Sequence, residues 1–117
     1  MPIADDLFDK LRTELRRGSL VLAVLAALRE ERYGYTLRIV LEEAGLLIEE
    51  GALYPLLRRL EAQGLLTSEW REDGRSKRFY RLSTDGEAIL ARLHAEWSAI
   101  GASIDRLLTK EGNDEPR

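Results

Sequence analysis

Residues 51–66, GALYPLLRRLEAQGLL, form the stretch from which the architecture of the chain can be worked out. Pro55 lies within it, and proline is tolerated in a helix only near the start, where the N–H groups have no helical partner. The sequence therefore predicts a helix over 50–63 that begins close to residues 50–52 and ends at Gly64. One face of this helix is apolar at helical spacing, through Leu53, Leu56, Leu57 and Leu60.

The opposite face has an unusual composition for the outside of a short helix. A glycine and a proline give it low relief, and the side chains around them are aromatic or basic: Gly51, Tyr54, Pro55, Arg58 and Arg59. Such a helix start can enter a groove of DNA, where arginines one turn later can reach phosphates or guanine edges. The alternative is that the arginines are merely solvated, as charged surface side chains commonly are.

Three further helices are predicted before this one. Residues 5–16 carry an apolar stripe, with acidic residues at the start and arginines at the end, as the helix dipole favours. Gly18 and Ser19 are expected to end that helix, and Ser19 to cap a second one over 19–31. The second helix is apolar nearly all round and therefore central, and a third is predicted over 35–44.

After Gly64 the periodicity changes from helical to alternating. Residues 65–71 and 77–82 are rich in aromatic and apolar side chains and predict two strands, joined by a turn at Asp73 and Gly74. A helix-turn-helix followed by a two-stranded hairpin predicts a mainly α (α+β) fold of the winged helix-turn-helix type.

The remaining residues are predicted to form one long helix and a tail. Thr84 and Glu87 have the spacing of a capping box, which would open a helix over 84–108. The predicted organisation is a winged helix-turn-helix domain with an N-terminal helix over 1–83, a C-terminal dimerisation helix over 84–108 and a flexible tail over 109–117.

The last helix carries an apolar seam at alternating spacings of three and four residues, which is the heptad pattern of a coiled coil: Leu90, Leu93, Trp97, Ile100, Ile104 and Leu107. A helix of this length projects beyond so small a domain, so the seam predicts a homodimer. The first helix is expected to pack on the last helix of the partner through Leu7, Phe8 and Leu11.

The hairpin is a basic patch on an acidic chain. Residues 71–81 hold five basic and two acidic side chains, whereas the whole chain has a formal net charge of −3 and a pI of about 5.3. Arg75, Lys77 and Arg78 are expected to lie along the backbone or minor groove of DNA. The alternative is a solvated basic strand.

Tyr35 and Thr36 begin the helix that precedes the turn. Their hydroxyls and the exposed N–H groups at that helix end are suited to hold a phosphate. An alternative interpretation has Tyr35 packed beneath the hairpin.

Several function classes are disfavoured by composition. The chain has no cysteine, and its longest apolar run has nine residues against the roughly 20 that cross a membrane. Its only histidine is His94, and it contains neither a glycine-rich phosphate loop nor an HExxH motif. We therefore expect a cytoplasmic protein that is not an enzyme, holds no metal or cofactor and does not act at a membrane.

The motifs resemble those of the PadR-like transcriptional regulators. GALYPLLRRLEAQGLL is similar to the recognition-helix signature of that family, and ELRRGSLVLAVLAAL, YGYTL and RSKRFYRLSTDGEAIL resemble its other segments in the family order, over about residues 14–97. The resemblance implies a homodimeric repressor that binds a near-palindromic operator and is often released by a small molecule. It also suggests a planar aromatic effector near Trp97, although packing across the dimer axis explains that tryptophan as well.

The chain departs from the family pattern at the start of the recognition helix. Ala52 replaces the usual threonine, and Glu49 and Glu50 stand where the family often has Ser-Pro. The glutamates suit the helix dipole but would repel a nearby phosphate.

These observations predict a sequence-specific regulator whose partners are double-stranded operator DNA, a second copy of the chain and a small planar aromatic ligand. Two alternatives remain open at the level of sequence. One is a winged-helix module that docks an acidic protein through the hairpin and the surface around Tyr54. The other is a small-molecule-binding protein with vestigial DNA affinity.

Overall fold

The computed structural model describes residues 2–110 and confirms a mainly α fold with a small antiparallel sheet. A long helix leads into a helix-turn-helix and a β-hairpin, and a second long helix follows. The elements are α1 (Pro2–Ala27), β1 (Arg32–Tyr33), α2 (Gly34–Glu43), α3 (Glu50–Ala62), β2 (Leu66–Asp73), β3 (Arg75–Leu82) and α4 (Thr84–Thr109).

Helix α1 is continuous, so the prediction of two helices separated at Gly18 and Ser19 is wrong. The Ser19 hydroxyl donates a hydrogen bond back to the carbonyl of Arg16 (2.7 Å) instead of capping a new helix. A glycine inside a helix costs only about 1 kcal/mol, which the burial of the following apolar turns outweighs. The helix ends at Ala27, whose carbonyl accepts a hydrogen bond from Nε of Arg32 (2.8 Å).

The core lies between the C-terminal half of α1, the helix-turn-helix and the base of the hairpin. The four leucines predicted to form the inner face of α3 are all buried. Their buried apolar partners are Val24, Leu25, Leu28, Leu37, Leu41, Ile48, Leu66, Tyr80 and Leu82. This core fixes α3 against α1 and α2 through its leucine face, which leaves the opposite face of α3 outside.

The sheet has the order β1-β3-β2, with antiparallel pairing throughout. The predicted hairpin is confirmed, and its turn lies at Gly74, whose φ of 81° suits glycine. Strand β1 was not predicted, because two residues are too short to show a periodicity. It pairs Arg32 with Tyr80 and Tyr33 with Phe79, and so ties the start of α2 to the hairpin. We call the β2–β3 hairpin the wing.

Helix α4 begins at Thr84 as predicted, but its cap differs from the predicted one. Ser83, not Thr84, is the N-cap: its hydroxyl oxygen accepts from the N–H of Gly86 (2.9 Å) and donates to the carbonyl of Gly64 (2.6 Å). The predicted box between Thr84 and Glu87 is therefore wrong. Of the predicted tail, Thr109 ends the helix and residues 111–117 lie outside the described residues.

None of the helices within residues 2–110 is long and apolar enough to cross a membrane.

Candidate nucleic-acid interface

The outer face of α3 is exposed as the sequence predicts. Gly51, Pro55, Arg58 and Arg59 all lie on this face, opposite the buried leucines. Among the described side chains, Arg58 and Arg59 form no salt bridge or hydrogen bond. The helix therefore presents two arginines that no other described residue neutralises.

The first turns of α3 leave one backbone carbonyl without its helical hydrogen-bond donor. The helix begins at Glu50, which places Pro55 in its second turn. Because proline has no N–H, the carbonyl of Gly51 lacks its usual helical donor and is left for solvent or a ligand. The acidic start is partly neutralised, since Nη1 of Arg38 lies 2.9 Å from a carboxylate oxygen of Glu50.

Tyr54 is half-buried, and its ring packs between the two helices of the helix-turn-helix. Its hydroxyl lies against Gly34 at the start of α2, where any side chain would overlap the phenol. This tyrosine was predicted to be part of the outer face of α3. In the structure Tyr54 also packs against the start of α2, and this contact sets the spacing between α2 and α3.

Tyr35 and Thr36, at the start of α2, were predicted to hold a phosphate, and only one of them has a free side chain among the described residues. The Thr36 hydroxyl is used internally, accepting from the N–H of Tyr33 (3.1 Å) and donating to its carbonyl (3.0 Å). Tyr35 is 59% exposed, so it does not pack beneath the wing. That position is taken by Tyr33, whose ring meets Phe79 edge to face with 5.2 Å between centroids and stacks on Tyr35.

The basic residues of the wing divide into engaged and available side chains. Arg71 forms salt bridges with Glu31 (2.6 Å) and Glu69 (2.7 Å), and these hydrogen bonds raise the pKa of its guanidinium. Arg78 is also paired, at 3.2 Å from Glu61. Within the described residues the remaining basic side chains of the wing form no salt bridge: Arg75, Lys77 and Arg81.

A groove of about 390 Å³ separates the outer face of α3 from the wing. It brings together four of the predicted residues, which come from two different elements: Tyr54, Arg58, Lys77 and Arg78. Predicted Arg59 and Arg75 are not part of its lining. The groove combines cations with aromatic faces, as surfaces that bind nucleic acids do.

Sequence reasoning missed other residues of this groove, namely Tyr33, Gly34, Trp70, Ser76 and Tyr80. Lys77 is held there by Tyr33, since its Nζ lies 4.7 Å from the centre of that ring. Burial raises the pKa of the Tyr80 phenol, although the charges of Arg78 and Arg58 oppose the shift. The phenol is therefore neutral at physiological pH. A signal for this site existed in the alternation along 70–80, which places Trp70, Arg78 and Tyr80 on one face of the hairpin.

The described residues contain no group of three or more His, Cys, Asp or Glu side chains placed to bind a metal ion. The site is built from cations, aromatic rings and helix ends, which suit a polyanion.

The second predicted surface, on α1 and α4, is exposed and apolar. Phe8 is 59% exposed and Trp97 is 47% exposed, and the other members of both stripes are likewise open: Leu7, Leu11, Leu93, Ile100, Ile104 and Leu107. Leu90 differs, because it packs against the core of its own chain. Exposed apolar stripes of this kind are typical of protein–protein interfaces.

The sequence model of the transcriptional regulator PadR-like family matches residues 21–92 of this chain. That range contains the helix-turn-helix and the whole wing. The chain belongs to the PadR-like family of transcriptional regulators. It is therefore a DNA-binding regulator and not an enzyme, which confirms the resemblance seen in the sequence and the class of function that it implies.

Solved PadR-like structures have the same fold over most of this chain. A PadR family transcriptional regulator from Eggerthella lenta is 42% identical, with a TM-score of 0.88 over 92% of this chain and 97% of that chain. A PadR-like transcription factor from Bacteroides fragilis is 33% identical, with a TM-score of 0.71 over 84% and 98% of the two chains. The transcriptional regulator Rv3488 of Mycobacterium tuberculosis is 43% identical over 79 residues, which are 66% of this chain and 74% of that protein.

Proposed function

We propose that this PadR-like regulator is a homodimeric repressor that binds a near-palindromic operator through α3 and the wing. The observation that carries the proposal is the exposed pair Arg58 and Arg59, unpaired within the described residues and placed beside a groove lined by cations and aromatic rings. In a dimer, two such helices would enter successive major grooves about 34–36 Å apart. On this view residues 1–83 bind DNA and 84–108 form the dimer.

The residues take different parts in binding. Gly51 and Pro55 give α3 a slim start that enters the major groove, where Arg58 reaches a base edge and Arg59 a phosphate. Arg75 and Lys77 of the wing lie along the backbone. At the start of α2, Tyr35 and the N–H groups of the first turn receive a further phosphate, as helix N-termini do.

The experiment is duplex binding across a salt series, with the promoter upstream of the protein's own gene compared with a scrambled duplex. We expect selective binding whose log–log salt slope is about −5 or steeper, because several phosphates are neutralised by each dimer. Equal, weak binding to both duplexes, with a shallow slope, would contradict the proposal and favour the alternative of a module that docks an acidic protein through the wing.

Two substitutions assign the roles within that experiment. Arg58→Ala should cost about 1–3 kcal/mol of binding on the promoter and relax selectivity at one position, since a base contact is lost. Lys77→Ala should weaken binding to both duplexes alike and lower the magnitude of the salt slope by about one. Arg92→Ala is the matched control, because it removes one positive charge from an exposed site on α4 that is not part of the proposed DNA-binding surface. Effects no larger than those of the control would remove Arg58 and Lys77 from the interface.

We further propose that a small planar aromatic ligand releases the repressor by binding near Trp97. A groove of about 300 Å³ between α1 and α4 supports this, since Trp97 lines it together with Leu15, Leu93 and Ile100. Titration of tryptophan fluorescence with planar aromatic compounds tests the site. The chain has two tryptophans, so the titration is made in a Trp70→Phe background, where only Trp97 emits. An unchanged spectrum would mean that Trp97 serves packing alone.

A further inference from the structure

Arg78 does not project from the wing as a phosphate ligand would. Its Nη2 lies 3.2 Å from Oε1 of Glu61, and its Nε donates to the hydroxyl oxygen of Ser68 at 2.9 Å. The Ser68 hydroxyl in turn donates to Oε2 of Glu61 at 2.7 Å. These three side chains belong to β3, α3 and β2, so one closed set of hydrogen bonds joins both strands of the wing to the recognition helix.

Two aromatic rings also lie close to the same guanidinium. Its central carbon lies 5.6 Å from the centre of the Trp70 ring and 5.7 Å from that of Tyr80, within the range of cation–π contacts. Arginine is suited to such a place because its planar group can accept stacking and directed hydrogen bonds together. A phosphate that replaced Glu61 or Ser68 would break contacts that the guanidinium already makes, and among the described residues only its Nη1 group has no hydrogen-bond partner.

We propose that Arg78 is a positioning residue, which uses Glu61 and Ser68 to fix the angle of the wing relative to α3. Beyond the pairing of β3 with β1 at Phe79 and Tyr80, the wing has only two strands, and a two-stranded hairpin is weakly constrained unless it packs on another element. We call the hydrogen-bonded set of Arg78, Glu61 and Ser68 the lock. The lock attaches the wing to α3 through Glu61, which lies on the helical turn that follows Arg58. Lys77 and Arg75 are thereby held at a set distance from the side chains of α3 before DNA arrives, which lowers the cost of ordering them on binding.

The inference rests on the proposed placement of DNA against α3 and the wing. The two accounts of Arg78 make opposite predictions for Glu61→Gln, measured as duplex affinity across the same salt series. If Arg78 is a positioning residue, the loss of its anionic partner loosens the wing and weakens binding about twofold to fivefold, the range expected for a partly exposed ion pair. If Arg78 is a phosphate ligand, the same substitution releases its charge and tightens binding. Tighter or unchanged binding would overturn the inference.

Substitutions of Arg78 itself provide the second test of this inference. Arg78→Lys keeps the charge but lacks the planar guanidinium, which reaches Ser68 and Glu61 through two different nitrogens and contacts two aromatic rings, so we expect it to bind as weakly as Arg78→Ala. Neither variant should change the salt slope, and adding Glu61→Gln to Arg78→Ala should have no further effect. Recovery of affinity by lysine, or a slope smaller by about one in the alanine variant, would identify a phosphate ligand instead.

Controls separate this inference from the proposed function. Glu43→Gln removes one negative charge from an exposed site on α2 and should leave the affinity near that of the unaltered chain. Lys77→Ala reports on the wing itself. If it lowers the slope while Glu61→Gln has no effect, only the lock is wrong. If neither has an effect, the placement of the wing on DNA fails as well. Thermal unfolding of each variant verifies that binding is measured on folded protein.

Discussion

At the scale of single residues, the contact between Gly34 and Tyr54 offers the sharpest test of the structure. Gly34 is buried at the start of α2, and a Cβ there would overlap the hydroxyl and ring of Tyr54. Gly34→Ala should therefore lower the free energy of unfolding by about 1–3 kcal/mol, as overpacking does. Urea denaturation followed by circular dichroism measures this change.

Two companion variants give that prediction its control. Gly18→Ala lies in α1 with open space around it and should stabilise the chain by about 0.5–1 kcal/mol, because alanine favours a helix. Tyr54→Phe removes the atom nearest to the new methyl group and should recover part of the loss in the Gly34→Ala background. Equal effects of the alanine at positions 18 and 34 would contradict the close packing of α2 on α3.

Residue roles were the part of the site that the sequence could define least. Helical period was enough to assign Arg58 to the outside of α3 and Leu53 to the inside. It could not show that Arg78 turns back towards Glu61, since those residues are seventeen positions apart and meet only through the register of the hairpin. The partners of a long polar side chain depend on the three-dimensional fold. The periodicity of the sequence assigns only the face of the helix or strand on which that side chain lies.

At the scale of elements, the cap of α4 tests how the last helix is joined to the winged domain. The Ser83 hydroxyl bridges the N–H of Gly86 and the carbonyl of Gly64, so one side chain closes the start of α4 and the end of α3 together. Ser83→Ala should lower the free energy of unfolding by about 0.5–2 kcal/mol, as the loss of an N-cap does. Thr84→Ala, at the neighbouring position predicted from sequence, should change it by a few tenths of that amount. The same denaturation experiment measures both, and a larger effect at Thr84 would contradict the cap.

Element boundaries were predicted well where a local signal was strong and poorly where tertiary packing decided. The turn at Gly74 and the apolar face of α3 have clear local signatures. The continuity of α1 through Gly18 depends on burial of Val24 and Leu25 further along, which outweighs a local helix breaker. Strand β1 exists only because β3 offers it a partner. Neither outcome can be inferred from the residues that it involves.

At the scale of the whole molecule, charge is distributed so that an acidic chain can present a basic surface. The net charge is −3, yet several acidic side chains near α3 and the wing are paired with arginines, as in the pairs of Arg71 with Glu31 and of Arg38 with Glu50. Within the part of the chain that the structure describes, the charged side chains that line the groove between α3 and the wing are all basic: Arg58, Lys77 and Arg78. Local field rather than net charge governs the approach of a polyanion.

The exposed apolar stripe of α4 connects this surface to assembly. Ile100 is 53% exposed in a single chain, and if the stripe is the dimer seam, a charge placed there must be buried without a partner. Ile100→Glu should therefore convert a dimer into a monomer of 13.3 kDa, measured by light scattering at micromolar concentration. Ala95→Glu adds the same charge on the far side of α4 and should leave the dimer intact.

The monomeric Ile100→Glu variant should also lose at least about tenfold in affinity for a duplex with two half-sites while it keeps its binding to one half-site, because only the coupling of two DNA-binding modules is removed. An unaltered chain that is already monomeric, or an Ile100→Glu variant that remains dimeric, would show that α4 uses this stripe for something other than a second copy of the chain.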